Sequence, residues 1–249
     1  MIRRDAFVVL AAAGLLSVAP LAGQAPDGNA LLAKIDRNLN PESYESYRKI
    51  INVEPGGRKR EYVLYTMKDG RDKVAALFLE PAADRGRSTL RLGDNMWLYV
   101  PNAGKPVRIT SLQSVVGGVF NNADILQLDY ASEYDVTRVA ESGAEYLLSL
   151  KAKARNVAYD QLKIRADKRT LLPTTIEAFT ATSMLIKTLH FREPKDFGKG
   201  IVRPSLIETD SPLYKGHTST MMFAGMKARK LPAEVFTLAF MPNLESVRK

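Results

Sequence analysis

The chain has 249 residues, with 36 Lys and Arg against 27 Asp and Glu, a formal net charge of +9, two His and no Cys. The missing cysteine excludes disulfides, a thiol nucleophile, thiolate metal sites and cysteine-linked lipid. A balance this basic favours anionic partners. Because the N-terminus reads as an export signal, lipid or a membrane surface suits it better than nucleic acid, although the basic residues are spread through the chain rather than gathered in one block.

In chain order, residues 1–25 come first. Arg3 and Arg4 precede an apolar run over 6–16 and a small-residue exit that ends at Ala25. This is the composition of a cleaved secretory signal, and the run is shorter than the roughly 20 residues that span a bilayer. Cleavage is expected between Gly23 and Asp27, leaving a single domain over 26–249 in the periplasm. Leu31, Leu32, Ile35 and Leu39 then recur at helical spacing, with Asp27 or Asn29 to cap the helix and Asn40-Pro41 to end it.

From there the period changes to two. Strands are predicted over 44–53, 60–68, 73–80, 88–92, 96–100 and 105–110, separated by turns such as Glu54-Pro55-Gly56-Gly57 and Gly93-Asp94-Asn95. Residues 111–129 break the alternation. Gly117-Gly118 reads as a hinge, and Asn121-Asn122 can cap a short helix that carries Ile125, Leu126 and Leu128. Strands resume over 134–141, 145–152, 161–167, 173–179, 184–193, 203–209 and 218–230, and the apolar tail from 232 is a last short element packed on the sheet.

Side chains alternate across a strand, so parity sorts them. Leu90, Leu98, Val107 and Ile109 fall on one side of the opening meander, and Arg91, Trp97, Tyr99 and Arg108 on the other; Leu148 joins the aliphatic set from the second half. An aliphatic face this wide must be covered. The first helix, the 122–128 segment and the tail are the material at hand. They form either a solid core or a lid over a space for an apolar guest. The predicted fold is mainly β: an incomplete, strongly curved antiparallel barrel with short helices plugging its concave face.

Catalytic signals are weak. His190 sits in a strand and His217 in a loop, neither at ligand spacing from a carboxylate, and glycine-rich nucleotide loops and the nucleophile elbow are absent from the sequence. The chain is therefore expected not to be an enzyme and to need no cofactor or metal.

The stretch "RLGDNMWLYVPNAGKPVRIT", followed by "SVVGGVFNNADILQLDY", resembles the signature segment of the outer-membrane lipoprotein-sorting family, the LolA/LolB-like periplasmic lipoprotein carriers. "FREPKDFGKGIVRPSLIE" and "FTLAFM" fall where that family has its later strands and tail. The resemblance implies a half-barrel that carries acyl chains of lipoproteins or other lipids toward the outer membrane. It also implies an inner-membrane transporter for loading, an outer-membrane acceptor for delivery, and a monomer. On this reading Leu90, Leu98, Val107, Ile109 and Leu148 form the cavity wall, and Phe120, Ile125 and Leu126 form the lid. A filled-core adaptor docking to an inner-membrane transporter is the alternative, and an enzyme acting on lipid or cell-wall material ranks last.

Overall fold

The computed structural model describes residues 26–248, and the expected signal peptide lies outside them. Helix α1 (Gly28–Leu39) starts where the Asp27 carboxylate accepts from the Asn29 and Ala30 amides, at 3.0 and 3.3 Å, and it buries Leu31, Leu32, Ile35 and Leu39 on one stripe. Thirteen strands follow where alternation predicted thirteen. The first six are β1 (Tyr44–Val53), β2 (Lys59–Asp69), β3 (Lys73–Glu80), β4 (Ser88–Leu92), β5 (Asn95–Tyr99) and β6 (Val107–Ile109). After α2 (Asn122–Ile125) and α3 (Tyr130–Glu133) come β7 (Tyr134–Ser142), β8 (Glu145–Ala152), β9 (Gln161–Asp167), β10 (Pro173–Phe179), β11 (Leu185–Asp196), β12 (Val202–Asp210) and β13 (Thr218–Ala228). Two 3-10 segments, Ala233–Phe236 and Leu238–Val247, close the chain.

All thirteen strands join one antiparallel sheet in the order β6-β5-β4-β3-β2-β1-β13-β12-β11-β10-β9-β8-β7. The first half runs outward from the middle to one edge and the second half returns from the other edge. They meet at a seam where β1 pairs β13, from Tyr44 opposite Ala228 to Val53 opposite Thr218. Strands β6 and β7 do not pair with each other, so the barrel stays open. The chain crosses from one edge to the other through residues 110–133, which lie over the concave face.

Two apolar clusters sit on opposite faces. The first joins α1 and the crossing segment to inward residues such as Ile50, Leu64, Phe78, Leu148, Ile164, Leu189 and Met221. The second lies on the outer face, where Tyr65, Met67, Leu77 and Leu90 are covered by Leu231, Val235, Phe236, Met241 and Leu244 of the tail. This corrects two expectations. The tail shields the outer face instead of filling the concavity, and Leu90 belongs under it rather than to the concave wall. The cause is register: the tight turn after Leu92 places Leu90 opposite Trp97, and Arg91 opposite Met96. Cross-strand partners share a face. Leu90 and Trp97 therefore point outward together while Arg91 points inward.

Candidate functional site

The concave wall and the segment that crosses it form the candidate site. The segment is built by local side-chain bonds. Asn121 caps α2 in a reciprocal box, accepting from the Asp124 amide at 3.1 Å while the Asp124 carboxylate accepts from the Asn121 amide at 2.9 Å. Asn122 donates to the Thr110 carbonyl at 2.8 Å and accepts from the Val115 amide at 3.2 Å, which folds the chain back on itself. Such a short helix has no stability of its own. It is held by burying Val116, Phe120, Ile125, Leu126 and Leu128 against the wall.

The wall also carries polar side chains that grip the segment. Arg48 on β1 donates to the Ile125 carbonyl at 3.1 Å, and Arg91 on β4 donates to the Leu126 carbonyl at 3.2 Å. Asn52 donates to the Val116 carbonyl at 3.0 Å, and Ser219 on β13 accepts from the Val119 amide at 2.9 Å. Three buried ion pairs run from wall to segment: Lys68 to Asp129 at 2.9 Å, Lys187 to Asp124 at 2.8 Å, and Arg91 to Glu133. Each cation is at most 3% exposed, so water screens these pairs little. Sequence parity missed all of them. Arg91 is counted with Trp97 on the face away from the aliphatic set, Lys68 and Lys187 are assigned to no face, and the strand registers turn all three inward.

Of the expected wall and lid residues, Leu148, Phe120, Ile125 and Leu126 are buried in the concave cluster and Ile109 packs against it. Leu98 shares that face but is only half-buried, and Val107, its partner on edge strand β6, is 50% exposed. Leu90 is on the far side. A pocket of about 30 Å³ lies between segment and wall, bordered by Phe120, Tyr130, Tyr134, Tyr159, Phe191 and Met221. That is room for about one water molecule. The concavity is therefore closed by the segment's own side chains.

His190 lies on the outer side of β11 with Asp210 3.1 Å away, and His217 stands beside Tyr214 in the β12–β13 loop. Among the described residues no group of three His, Asp or Glu is placed to hold a metal ion, and no helix is long and apolar enough to cross a membrane.

A family model whose description reads only "-like: Uncharacterized protein" matches residues 70–243, well over half of the chain. The chain belongs to that family. Solved structures add the fold. A LolA superfamily protein from Nitrosomonas europaea superposes with a TM-score of 0.78 at 24% identity, over 87% of this chain and 100% of that one. A DUF1329 family protein from Desulfovibrio piger gives 0.73 at 22% identity, over 86% and 97%. A protein from Vibrio parahaemolyticus named for an outer membrane lipoprotein-sorting domain gives 0.72 at 16%, over 86% and 98%. No curated protein matches the chain. The fold is thus LolA-like.

Within this LolA-like fold the two glycines of the crossing segment differ. Both have positive φ, +69° at Gly117 and +73° at Gly118, but only Gly118 is crowded. A Cβ there would lie 2.3 Å from Asn52 Oδ1 and 2.6 Å from Ser219 Oγ, inside the bonded pair that grips the segment. Of the expected hinge, Gly117 is free of close contacts and Gly118 is packed as an anchor. Gly117→Ala should cost about 1 kcal/mol, the ordinary strain of a left-handed residue, whereas Gly118→Ala should cost about 3 kcal/mol or more once displacement of Asn52 is added. Urea unfolding of the two variants checks this, and equal midpoints would refute it.

Asp36 ties α1 to the same segment, accepting from the Tyr130 and Ala131 amides at 2.9 Å each. Burial is the main cause that raises its carboxyl to about 7; nearby Asp129 also raises it, while the two amides and Arg37 lower it. The folded chain therefore holds this proton more tightly than the unfolded one, whose value is 3.8. Stability from this group is greatest below pH 4 and is lost as pH rises toward 7. The urea midpoint should accordingly fall between pH 5 and 7.5, with a shallower fall in Asp36→Asn. Parallel pH profiles for the two proteins would refute the assignment.

Proposed function

We propose that the protein is an exported carrier that shelters acyl chains of a lipoprotein or other lipid on the concave wall, with residues 110–133 as its lid. The observation that supports this most is the kind of cover. An apolar wall is shielded by a separate segment whose Phe120, Ile125 and Leu126 lie where a guest chain would lie, and whose backbone is gripped by wall side chains rather than by strand pairing. Such bonds can be exchanged without unravelling the sheet. A guest chain of about 12 methylenes would contribute on the order of 10 kcal/mol gross, offset by the lid contacts it displaces. No catalytic step and no cofactor enter this reading. Loading from an inner-membrane transporter and delivery to an outer-membrane acceptor belong to the same proposal.

The interior volume of about 30 Å³ favours a second reading, an adaptor of the same fold with a permanently filled interior. Hydrogen exchange with and without lipid separates the two. In a carrier, amides over 116–128 exchange faster than those of β5 and change rate when lipid is added, because weakly held segments open at low cost. Protection that lipid leaves unchanged, together with no bound lipid in native mass spectra of the purified protein, would favour the adaptor.

A further inference from the structure

The buried cations of the concave side are not all alike. Lys68, Arg91 and Lys187 each meet a carboxylate of the crossing segment. Arg48 and Arg203, 5% and 2% exposed, meet none among the described residues. Arg48 donates to Ser46 Oγ, Tyr44 Oη and the Ile125 carbonyl. Arg203 donates to the Pro204 carbonyl at 3.1 Å and to Asn40 Oδ1 at 2.6 Å. Both guanidinium groups lie over one ring, that of Phe223, at 4.8 and 3.7 Å from its centre.

Two like charges share a dry site around one aromatic ring, with no counter-charge among the described residues, an arrangement that costs free energy unless an anion offsets it. Burial first, and the neighbouring Arg48 in addition, push the Arg203 guanidinium down to about 9, while Tyr44 and Tyr130 act in the other direction. The carbonyls at the end of α1, beside Asn40, supply partial negative charge but no full unit.

Chain neighbours of Arg203 and Asn40 border an opening. A cleft of about 480 Å³ runs between the end of α1 and the β11–β12 hairpin, bordered by Arg37, Asn38, Pro41, Pro194, Ile201 and Val202. Its volume falls in the range of small-ligand sites. Val202 borders the cleft and the next residue, Arg203, is buried. Asn40, the residue that Arg203 holds, lies in sequence between the cleft residues Asn38 and Pro41. Movement of Asn40 would join the cleft to the arginine pair, and lifting of the lid would free the Arg48 donor that now holds Ile125.

We propose that Arg203 and Arg48 form the headgroup site of the cargo, so that the cargo is an anionic amphiphile: acyl chain with a negatively charged head, the chain on the concave wall and the head bonded to the guanidinium groups beside Phe223. This rests on the carrier reading above and narrows it. Guanidinium forks suit phosphate and carboxylate heads, and a dry site strengthens the attraction.

The test is binding of lysophosphatidylglycerol and lysophosphatidylcholine of equal chain length, below their micelle concentrations, to delipidated protein, with inorganic phosphate as a third probe. The wild-type protein should bind the glycerol lipid at least tenfold more tightly than the choline lipid, and inorganic phosphate far more weakly than either. Arg203→Met should reduce the preference to less than threefold, and Arg203→Lys should keep most of it. If Arg203→Met does not fold, the wild-type preference together with its retention in Arg203→Lys decides. Equal affinity for the two lipids would overturn the headgroup site and leave the carrier reading standing. Phosphate binding as tight as the lipid would mark a site for a free anion and overturn the amphiphile. Binding of neither lipid would overturn the carrier reading and this inference with it.

Discussion

Arg91→Glu is expected to destabilise the protein by about 3–5 kcal/mol, the usual cost of breaking a buried ion pair and leaving one charge alone. Here the new carboxylate would also face Glu133, the present partner of Arg91, on an inward position 3% exposed. The bond to the Leu126 carbonyl would go with it, so both α2 and α3 would lose their hold on β4. Leu98→Glu, by contrast, changes a half-buried residue beside exposed Val107 at the open edge and should cost about 1 kcal/mol. Urea unfolding of the two variants measures the difference. A smaller loss for Arg91→Glu than for Leu98→Glu would show that the crossing segment is not anchored through β4.

Truncation after Lys230 should prevent stable folding. The tail buries Leu231, Val235, Phe236, Met241 and Leu244 at 3% exposure or less, and these cover Tyr65, Met67, Leu77 and Leu90. At about 1.5–3 kcal/mol per buried side chain the gross loss is on the order of 10 kcal/mol. A whole domain commonly has only about 5–15 kcal/mol of net stability. Two polar ties would go as well, from Ser88 to the Met241 carbonyl at 3.0 Å and from Arg229 to the Val247 carbonyl at 3.1 Å. The truncated chain should bind a hydrophobic dye strongly and show no cooperative urea transition. Phe236→Ala alone should cost about 3–5 kcal/mol. A truncated protein with an unchanged midpoint would mean that the outer cluster contributes nothing.

Strand positions were legible because each alternating run ends in residues with turn chemistry, as at Gly93-Asp94-Asn95 and Ser142-Gly143. Face assignment was not. Parity holds within one strand, but each turn resets it, and the turn after Leu92 sets Leu90 opposite Trp97 where unbroken counting sets them apart. That single register decides that Leu90 faces outward and that Arg91 is a buried anchor. The burial of Phe120, Ile125 and Leu126 in the segment after the glycine pair was legible from their spacing. Their partners Arg48, Asn52, Lys187 and Ser219 were not, since a polar residue in a strand gives no sign of a second element waiting to be bonded. Arg203 was hidden in the same way: its partner Asn40 is 163 residues away along the chain and Phe223 lies on the next strand, and both meet it only after folding.

The seam has a consequence for how the molecule forms. Every other strand pair joins neighbours in sequence, so each half of the sheet can assemble as a series of local hairpins. The pairing of β1 with β13 instead closes a loop from Val53 to Thr218, and such distant closure is slow because the chain must lose much freedom before any contact rewards it. Two half-sheets, each with an unpaired inner edge at β1 or β13, would precede the finished molecule. An unpaired edge is open to other chains. Slow refolding that loses yield as protein concentration rises is the expected kinetic signature, with the amides of the β1–β13 ladder the last to gain protection.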